Sequence, residues 1–310
     1  MKTAFLFPGQ GSHAVGLGAA WRDSTHRRVL DEVGSAAGLD LLRALDDEAT
    51  GANTAAAQPA ILAASLTAHE ALLEQGIEPA YVAGHSLGEV TASVAAGVFE
   101  LGDGAELVAE RGQAMAAACA SSPGAMAAIL KLGPDELLHV VGQVPGAVIA
   151  NENAPGQTVV SGTPAAVERV VELARERGGR AMSLEVEGAF HSPAMTPAVV
   201  RMESLLRRLP SRNPAVPVVS GVSGQAIEDD AAIRKALVNG ILAPVRWVSV
   251  QKTLAELGVE LLVEVGPGRV LAGMAKRTVP DISIVSVSTP DDVRGLRDRL
   301  PELATAGAAR

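Results

Sequence analysis

Residues 80–97 of the chain are Ala80-Tyr81-Val82-Ala83-Gly84-His85-Ser86-Leu87-Gly88-Glu89-Val90-Thr91-Ala92-Ser93-Val94-Ala95-Ala96-Gly97. An apolar strand, a Gly-x-Ser-x-Gly turn and an apolar helix in this order are typical of a nucleophile elbow. The glycines two positions either side of the serine remove the Cβ atoms that would clash in so sharp a turn. The pattern predicts that the Ser86 hydroxyl lies at the carboxyl end of a buried strand, although a plain turn also satisfies these five residues.

Leu87 is the first residue of the helix predicted after Ser86. Its backbone amide would point to the place where the serine hydroxyl reacts. A negative oxygen forming there would meet a backbone donor and the positive end of a helix dipole.

The composition indicates a globular protein with room for one large domain, or for a large and a small one. The 310 residues are 48% hydrophobic and 20% charged. A net charge of −9 argues against nucleic acid or an anionic membrane as partner. One cysteine, Cys119, excludes an intrachain disulfide. Pro8 interrupts the first apolar run too early for a signal peptide, and no apolar run is long enough to span a membrane, so we expect a cytoplasmic protein.

The alternation of strand and helix patterns predicts an α/β protein of two subdomains. Residues 124–187 follow the order β-α-β-β-α-β, which is typical of a ferredoxin-like unit. Residues 1–123 and 188–310 alternate helices and strands, which predicts a large α/β-hydrolase-like subdomain with a parallel central sheet. Within it, the spacing predicts one helix from Trp21 to Val33. A cleft between two such units is a common ligand site.

The segment Pro8-Gly9-Gln10-Gly11-Ser12 follows the apolar strand Thr3 to Phe7. Its two glycines allow the backbone to approach a ligand closely, so the loop is a candidate second wall of the site. An ordinary turn at the end of a strand has the same sequence features.

Arg111 shares a predicted helix face with Leu107, Met115 and other apolar residues, and that face should be buried. A buried guanidinium needs a carboxylate partner, and none lies three or four residues away on this face. A substrate carboxylate, bound bidentately, would supply the partner. A side chain that reaches solvent, or a pair with a distant acid, remains an equal alternative.

A serine nucleophile needs a base, and the chain has six histidines. His26, His69 and His139 fall within predicted helices, and His85 should point away from Ser86 because neighbours in a strand face opposite sides. His13, near the glycine-rich loop, and His191, in a Gly- and Pro-bounded loop, remain candidates. No histidine follows His191, which disfavours the residue order of lipases and esterases.

A set of short motifs resembles the malonyl-CoA:acyl carrier protein transacylases and the acyltransferase domains of polyketide synthases, in the order of that family. The motifs are Phe7-Pro8-Gly9-Gln10-Gly11-Ser12, Gln58-Pro59, Gly84 to Glu89, Arg111-Gly112, Asn153 to Gln157, Gly188-Ala189-Phe190-His191-Ser192, Pro244-Val245-Arg246-Trp247 and Glu264-Val265-Gly266-Pro267-Gly268. They span nearly the whole chain.

The resemblance implies a role for each matching residue. Ser86 would be acylated, His191 would be general base and acid, and Arg111 would bind the free carboxylate of the acyl group. The backbone amides of Gln10 and Leu87 would form the oxyanion hole, and a backbone carbonyl at Gly240 would orient His191. The side chains that would contact the substrate are those of Gln58, His85, Asn153 and Phe190. Two positions depart from the family pattern, since His13 stands where glutamine is usual and Gly240 where a larger residue is usual.

The resemblance also implies a substrate, partners and a mechanism. Phe190 resembles members that select malonyl over methylmalonyl groups, and Arg111 argues against acyl groups without a free carboxylate. The expected reaction is ping-pong transfer of malonyl from malonyl-CoA to the phosphopantetheine thiol of a holo acyl carrier protein, by a monomer, with no cofactor or metal. Carrier proteins are acidic, and candidates for a basic docking patch are Arg175, Arg177, Arg180, Arg207, Arg208 and Arg212.

Three alternatives remain open at the level of sequence. The first is a hydrolase of carrier-bound thioesters that uses the same Ser86 and His191. The second is a transferase for methylmalonyl or another acyl group. The third is a carrier-binding protein without activity, which the intact elbow, base and arginine disfavour.

Overall fold

The computed structural model describes residues 1–308 and shows a mixed α/β fold whose strands fall into two sheets. The strands within these residues are β1 (Thr3–Phe7), β2 (Tyr81–Gly84), β3 (Ala125–Leu130), β4 (Ala147–Ala154), β5 (Gln157–Gly162), β6 (Arg180–Ser183), β7 (Val218–Val219), β8 (Ala226–Ile227), β9 (Leu261–Val265) and β10 (Ser283–Val287).

Helices cover both faces of the larger sheet and one face of the smaller one. They are α1 (Leu17–Trp21), α2 (Arg27–Ala37), α3 (Leu41–Ala44), α4 (Thr54–Glu74), α5 (Leu87–Ala95), α6 (Leu101–Ser121), α7 (Pro134–Gly142), α8 (Pro164–Glu176), α9 (Thr196–Leu206), α10 (Asp230–Asn239), α11 (Trp247–Glu256), α12 (Val270–Thr278) and α13 (Pro290–Ala308). Among the helices of residues 1–308, none combines the length and apolar character that a bilayer crossing requires.

The larger sheet has the strand order β10-β9-β1-β2-β7-β8 and is parallel from β10 to β7. Strand β1 lies between β2 and β9, and all five of its residues are buried. Because parallel strands end at the same sheet edge, the loop after Phe7 lies beside the turn after Gly84. This edge carries the elbow and the glycine-rich loop.

The hairpin of β7 and β8 was not predicted as such from the sequence. The two strands pair antiparallel through Val218–Ile227 and Val219–Ala226 alone. Two-residue strands are too short to show an alternating pattern in the sequence.

The smaller sheet is antiparallel, with the order β4-β5-β3-β6. Residues such as Ile129 and Val160 pack on one face against α7 and α8 in a separate apolar cluster. Met126, Ala128 and Val159 lie on the opposite face and line a cleft against the larger sheet. The sheet therefore forms one wall of that cleft.

The predicted helix from Trp21 to Val33 is wrong, because the structure has two helices there. Helix α1 ends at Trp21 and α2 begins at Arg27. Between them, the Ser24 hydroxyl accepts a hydrogen bond from the His26 amide at 3.2 Å. Short polar side chains compete with the helix for backbone groups, which explains the break within Asp23-Ser24-Thr25.

Candidate active site

Ser86 lies in the sharp turn between β2 and α5, with φ 54° and ψ −105°. A Cβ atom added to Gly84 would lie 1.8 Å from the carbonyl carbon of Gly88, and one added to Gly88 would lie 2.0 Å from the carbonyl oxygen of Phe7. Only glycine fits at either position. The structure thus has the strand, turn and helix that the sequence predicts, with a positive φ at the serine itself.

The Ser86 hydroxyl contacts His191, which is 3% exposed and also has a positive φ of 56°. Ser86 Oγ lies 2.8 Å from His191 Nε2, and His191 Nδ1 lies 3.0 Å from the carbonyl oxygen of Ala243. Since a carbonyl only accepts, Nδ1 carries the proton and Nε2 accepts from the Ser86 hydroxyl. His13 lies elsewhere, with its Nε2 3.1 Å from the carbonyl oxygen of Asp47.

The carbonyl that orients His191 belongs to Ala243, whereas the sequence pointed to Gly240. Ala243 directly precedes Pro244, and its carbonyl makes the 3.0 Å hydrogen bond. The Gly240 carbonyl acts on His191 as a weaker second acceptor. The resemblance placed this carbonyl shortly before the motif Pro244 to Trp247, and the position assigned to it, Gly240, lies three residues too early in the chain.

Burial is the largest influence on the basicity of His191 and lowers its pKa to about 3. The positive charge of Arg111 and the neighbouring His85 lower the pKa further, while the carbonyls of Ala243 and Gly240 raise it. The imidazole is therefore neutral at physiological pH, as a proton acceptor must be.

Arg111 on α6 is 4% exposed and reaches the nucleophile. Its guanidinium donates to Gln58 Oε1 at 2.6 Å and to Ser86 Oγ at 3.2 Å. Burial lowers the pKa of Arg111 to about 10, opposed by the charge of Glu89, so the guanidinium remains charged at neutral pH. Within residues 1–308 no carboxylate lies within the 4 Å of an ion pair with Arg111; the neighbouring Glu110 pairs with Arg201 instead.

Gln58 on α4 holds the guanidinium in place. Its amide oxygen accepts from Arg111, and its amide nitrogen lies 3.6 Å from the sulfur of Met115. The side chain is 1% exposed. Arg111 is thus fixed beside Ser86 by a neutral partner, which leaves its charge available to an anion.

The backbone amides of Gln10 and Leu87 lie on the two loops that meet beside Ser86. Leu87 opens α5, and Gln10 opens a 3₁₀ turn whose preceding Gly9 packs against the His85 backbone. No hydrogen bond from either amide to a protein acceptor is found within residues 1–308. Both residues line the cleft that contains Ser86, so these two donors are available to a ligand bound there.

His85 and Asn153 connect the two sheets. His85 Nε2 lies 2.8 Å from Asn153 Oδ1, and its ring packs edge-on against Trp247 at 5.4 Å between centroids. The amide oxygen accepts, so Nε2 donates. Burial lowers the pKa of His85, which keeps this imidazole neutral. Both side chains line the same cleft as Ser86, and the hydrogen bond to Asn153 holds the ring of His85 in place.

The cleft in front of Ser86 has a volume of about 280 Å³. Phe190, directly before His191, is 8% exposed and lines it. The other apolar residues that line the cleft include Met126, Val159, Met182, Leu184, Val270 and Met274. The structure thus brings Ser86, His191, Arg111, Gln58, His85, Asn153, Phe190 and the amides of Gln10 and Leu87 to one cleft.

The geometry has the parts of an acyl-transferring serine site with a cation beside the nucleophile. Comparison with protein families agrees, because the family described as acyl transferase domain matches residues 4–298. The chain belongs to this acyl transferase family. Its curated relatives include the malonyl CoA-acyl carrier protein transacylase of Bacillus subtilis (strain 168), which is 38% identical over 302 residues covering 94% of this chain and 95% of the relative.

Solved structures of related proteins share the fold. The acyl-carrier-protein S-malonyltransferase from Burkholderia pseudomallei 1710b matches with a TM-score of 0.91 and 39% identity, over 96% of this chain and 100% of that one. A malonyl-transacylase solved in complex with its type II PKS acyl-carrier protein matches with a TM-score of 0.91 and 33% identity, over 96% and 100%. The similarity therefore extends over nearly the full length of this acyl transferase family member.

Sequence reasoning about this acyl transferase site missed Glu89. This residue lies in the first turn of α5, three positions after Ser86, and is 5% exposed. The signal was available, because a carboxylate stood among apolar residues of a helix predicted to be buried.

Within the described part of the chain no group of three or more His, Cys, Asp or Glu side chains could hold a metal ion.

Proposed function

We propose that this chain transfers malonyl groups from malonyl-CoA to the phosphopantetheine thiol of an acyl carrier protein, through an acyl-Ser86 intermediate, in fatty acid or polyketide biosynthesis. The observation that carries this proposal is the Arg111 guanidinium, held 3.2 Å from Ser86 Oγ without a carboxylate partner in ion-pair contact within residues 1–308. An acyl group without a free carboxylate would leave the guanidinium without a direct ionic contact, whereas the free carboxylate of malonyl would pair with it. The names of the relatives agree with this substrate.

In the first half-reaction, His191 Nε2 takes the proton of the Ser86 hydroxyl as Oγ attacks the thioester carbonyl. The amides of Gln10 and Leu87 donate to the oxyanion of the tetrahedral intermediate. The carbonyl of Ala243 keeps the proton of Nδ1 in place, so the imidazolium forms with the correct orientation. His191 then returns its proton to the departing CoA sulfur.

The second half-reaction reverses these steps with a different thiol. His191 takes the proton of the phosphopantetheine thiol, whose sulfur attacks the malonyl-Ser86 ester. The collapse of the second tetrahedral intermediate returns the proton to Ser86 Oγ. Neither half-reaction changes an oxidation state, and the proposed base and oxyanion donors supply the proton transfers and the charge stabilisation, so no cofactor is needed.

Phe190 supports malonyl rather than methylmalonyl as the acyl group. The ring is 8% exposed and stands against the catalytic histidine in the wall of the cleft. An α-methyl branch would have to share the space that this ring fills, and overpacking of a filled site is unfavourable.

Two arginines at the outer end of the cleft fit the phosphate end of the pantetheine arm. Arg277 follows the cleft-lining Met274 by one turn of α12 and donates to Gln157 Oε1 at 2.6 Å and to the Pro155 carbonyl at 2.7 Å. Both acceptors are neutral. In the smaller sheet, Arg180 of β6 lies opposite Leu130 of β3, and Leu130 lies opposite Gln157 of β5. Arg180 is two residues before Met182 and therefore lies on the same face of β6 as that cleft-lining residue.

This wall of the cleft leads from His191 toward the two arginines. Strand β3 starts beside Ala189, close to His191, and its five steps from Ala125 to Leu130 span about 17 Å. An extended arm lying along this wall would place its phosphate near the end of β3 that carries Leu130. Two arginines of the docking patch considered from the sequence have acidic neighbours. Arg208 lies 4.0 Å from the carboxylate of Glu106, and Arg212 lies 2.6 Å from that of Glu100.

The organisation of the molecule is part of the proposal. Residues 1–123 and 188–310 would form an α/β-hydrolase-like catalytic subdomain, and residues 124–187 a ferredoxin-like subdomain that closes over Ser86. The order β4-β5-β3-β6 of the smaller sheet supports the second assignment. We propose a cytoplasmic monomer whose partners are malonyl-CoA and a holo carrier protein.

Initial rates of malonyl transfer, measured while malonyl-CoA and holo carrier protein are both varied, test the proposal. We expect parallel double-reciprocal lines, because CoA leaves before the carrier binds, and slow release of malonate without carrier. Malonate release at the transfer rate, independent of carrier concentration, would identify a hydrolase instead. Methylmalonyl-CoA serves as the matched control, and we expect its kcat/KM to be at least about tenfold lower, which is the discrimination typical of one methyl group.

A further inference from the structure

Glu89 lies behind the nucleophile, on the opposite side from the acyl cleft. It is the third residue of α5, and its side chain points into the protein toward the segment after β7. The mechanism above gives it no role. A carboxyl group that is 5% exposed and adjoins a catalytic serine requires an explanation.

The partners of the Glu89 carboxyl group are neutral donors. Oε1 accepts from the Gly221 amide at 3.2 Å, and the Ser220 hydroxyl donates to the same carboxyl. Oε2 faces Gly221 and Gly240, since Cβ atoms added there would lie 3.2 Å and 3.8 Å from it. These contacts fix the position of the side chain without neutralising a charge.

A small cavity of about 10 Å³ joins Glu89 to the catalytic groups. Ser86, Glu89, Arg111, Gly240 and Ala243 all line it. Such a volume corresponds to about one water molecule. The carboxyl group, the guanidinium and the carbonyls that hold His191 therefore share one enclosed space.

The ionic neighbour of Glu89 in this space is Arg111 from α6. The segment around Ser220 and Gly221 contributes a hydroxyl and an amide, and the segment from Gly240 to Val245 contributes no ionisable side chain to the cavity. Burial raises the pKa of Glu89 to about 7, opposed by Ser220, Gly221 and Arg111. Arg111 and Glu89 each favour the charged form of the other.

We propose that Glu89 is the resident counter-charge of Arg111, and that it takes up a proton from solvent when the carboxylate of the malonyl group binds Arg111. One guanidinium does not compensate two buried carboxylates, so the one without a direct contact becomes neutral. Glu89 is thus a positioning residue that keeps Arg111 charged and in place between turnovers. This inference rests on the proposed function.

The direct test is calorimetric binding at pH 8, in two buffers of different ionisation enthalpy, to the Ser86→Ala variant, which binds but is not acylated. We expect malonyl-CoA to take up about one proton more than acetyl-CoA, which carries the same CoA moiety. The double variant Ser86→Ala, Glu89→Gln should lose this difference.

The pH profile of kcat/KM gives a second readout that a structural role would not produce. For malonyl-CoA, kcat/KM of the wild type should fall about tenfold per pH unit above pH 7, because binding consumes a proton. In Glu89→Gln, kcat/KM should not show this pH dependence. Equal proton uptake with both thioesters would overturn the proposal even if no Glu89 variant folds. Failure of malonyl-CoA to bind at all would contradict the proposed function and, with it, the role of Glu89.

Discussion

One hydroxyl group, that of Ser86, contacts both the base and the cation of the site. His191 Nε2 lies 2.8 Å and an Arg111 nitrogen 3.2 Å from its oxygen. The Arg111 charge also lowers the pKa of His191. In the proposed reaction the same guanidinium would bind the free carboxylate of the malonyl group. The side chain proposed to select the acyl group therefore also influences the pKa of the proposed base.

A residue-scale prediction concerns His69 on α4, whose ring packs edge-on against Phe5 and Phe7. Burial lowers its pKa from 6.5 to about 4. Between these values the unfolded chain binds more protons than the folded one, so stability falls as the pH falls from 6.5 toward 4. At pH 5 the loss due to His69 is about 2 kcal/mol.

Urea unfolding at pH 7.5 and pH 5 measures this effect. The variant His69→Phe should lose about 2 kcal/mol less than the wild type between the two pH values. The exposed His139 provides the control, since His139→Gln should follow the wild type. An identical loss in wild type and His69→Phe would show that His69 is protonated as easily in the folded state as in the unfolded one.

At the scale of elements, the site depends on how closely α5 approaches β1. The carbonyl oxygen of Phe7 would be 2.0 Å from a Cβ atom at position 88. Glu264 positions α12 in a similar way, because its carboxylate accepts from the amides of Leu271 and Ala272. The positions of α5 and α12 are thus set by contacts with strands β1 and β9 of the same sheet.

The variant Gly88→Ala tests the elbow. The added methyl group forces α5 away from β1, and we expect a loss of about 3 kcal/mol in unfolding free energy together with most of the activity. Gly273→Ala in α12 is the matched control, since no heavy atom lies within 4 Å of the added Cβ. It should be neutral or stabilise by about 0.5–1 kcal/mol. Wild-type stability and activity of Gly88→Ala would contradict the close approach.

At the scale of the whole molecule, the predictable features are those that short sequence patterns dictate. The glycines around Ser86 require the elbow, and the apolar face of α6 required an explanation for Arg111. The acceptor of His191 and the role of Glu89 depend on segments more than 50 and more than 130 residues away along the chain, respectively. No local pattern encodes such contacts, so the sequence alone showed neither the Ala243 acceptor nor the partners of the Glu89 carboxyl group.

The most direct test of the central claim, that Ser86 is acylated and Arg111 selects the carboxylate, is intact-protein mass after brief mixing with malonyl-CoA or acetyl-CoA. The wild type should gain one malonyl group and pass it to a holo carrier protein, and Ser86→Ala should gain none. Arg111→Ala should acquire malonyl about 10–100-fold more slowly, the cost of a lost charged hydrogen bond of about 1.5–3 kcal/mol, while its acetylation does not slow. Malonyl loading of Arg111→Ala at the wild-type rate, or an adduct on Ser86→Ala, would contradict the account.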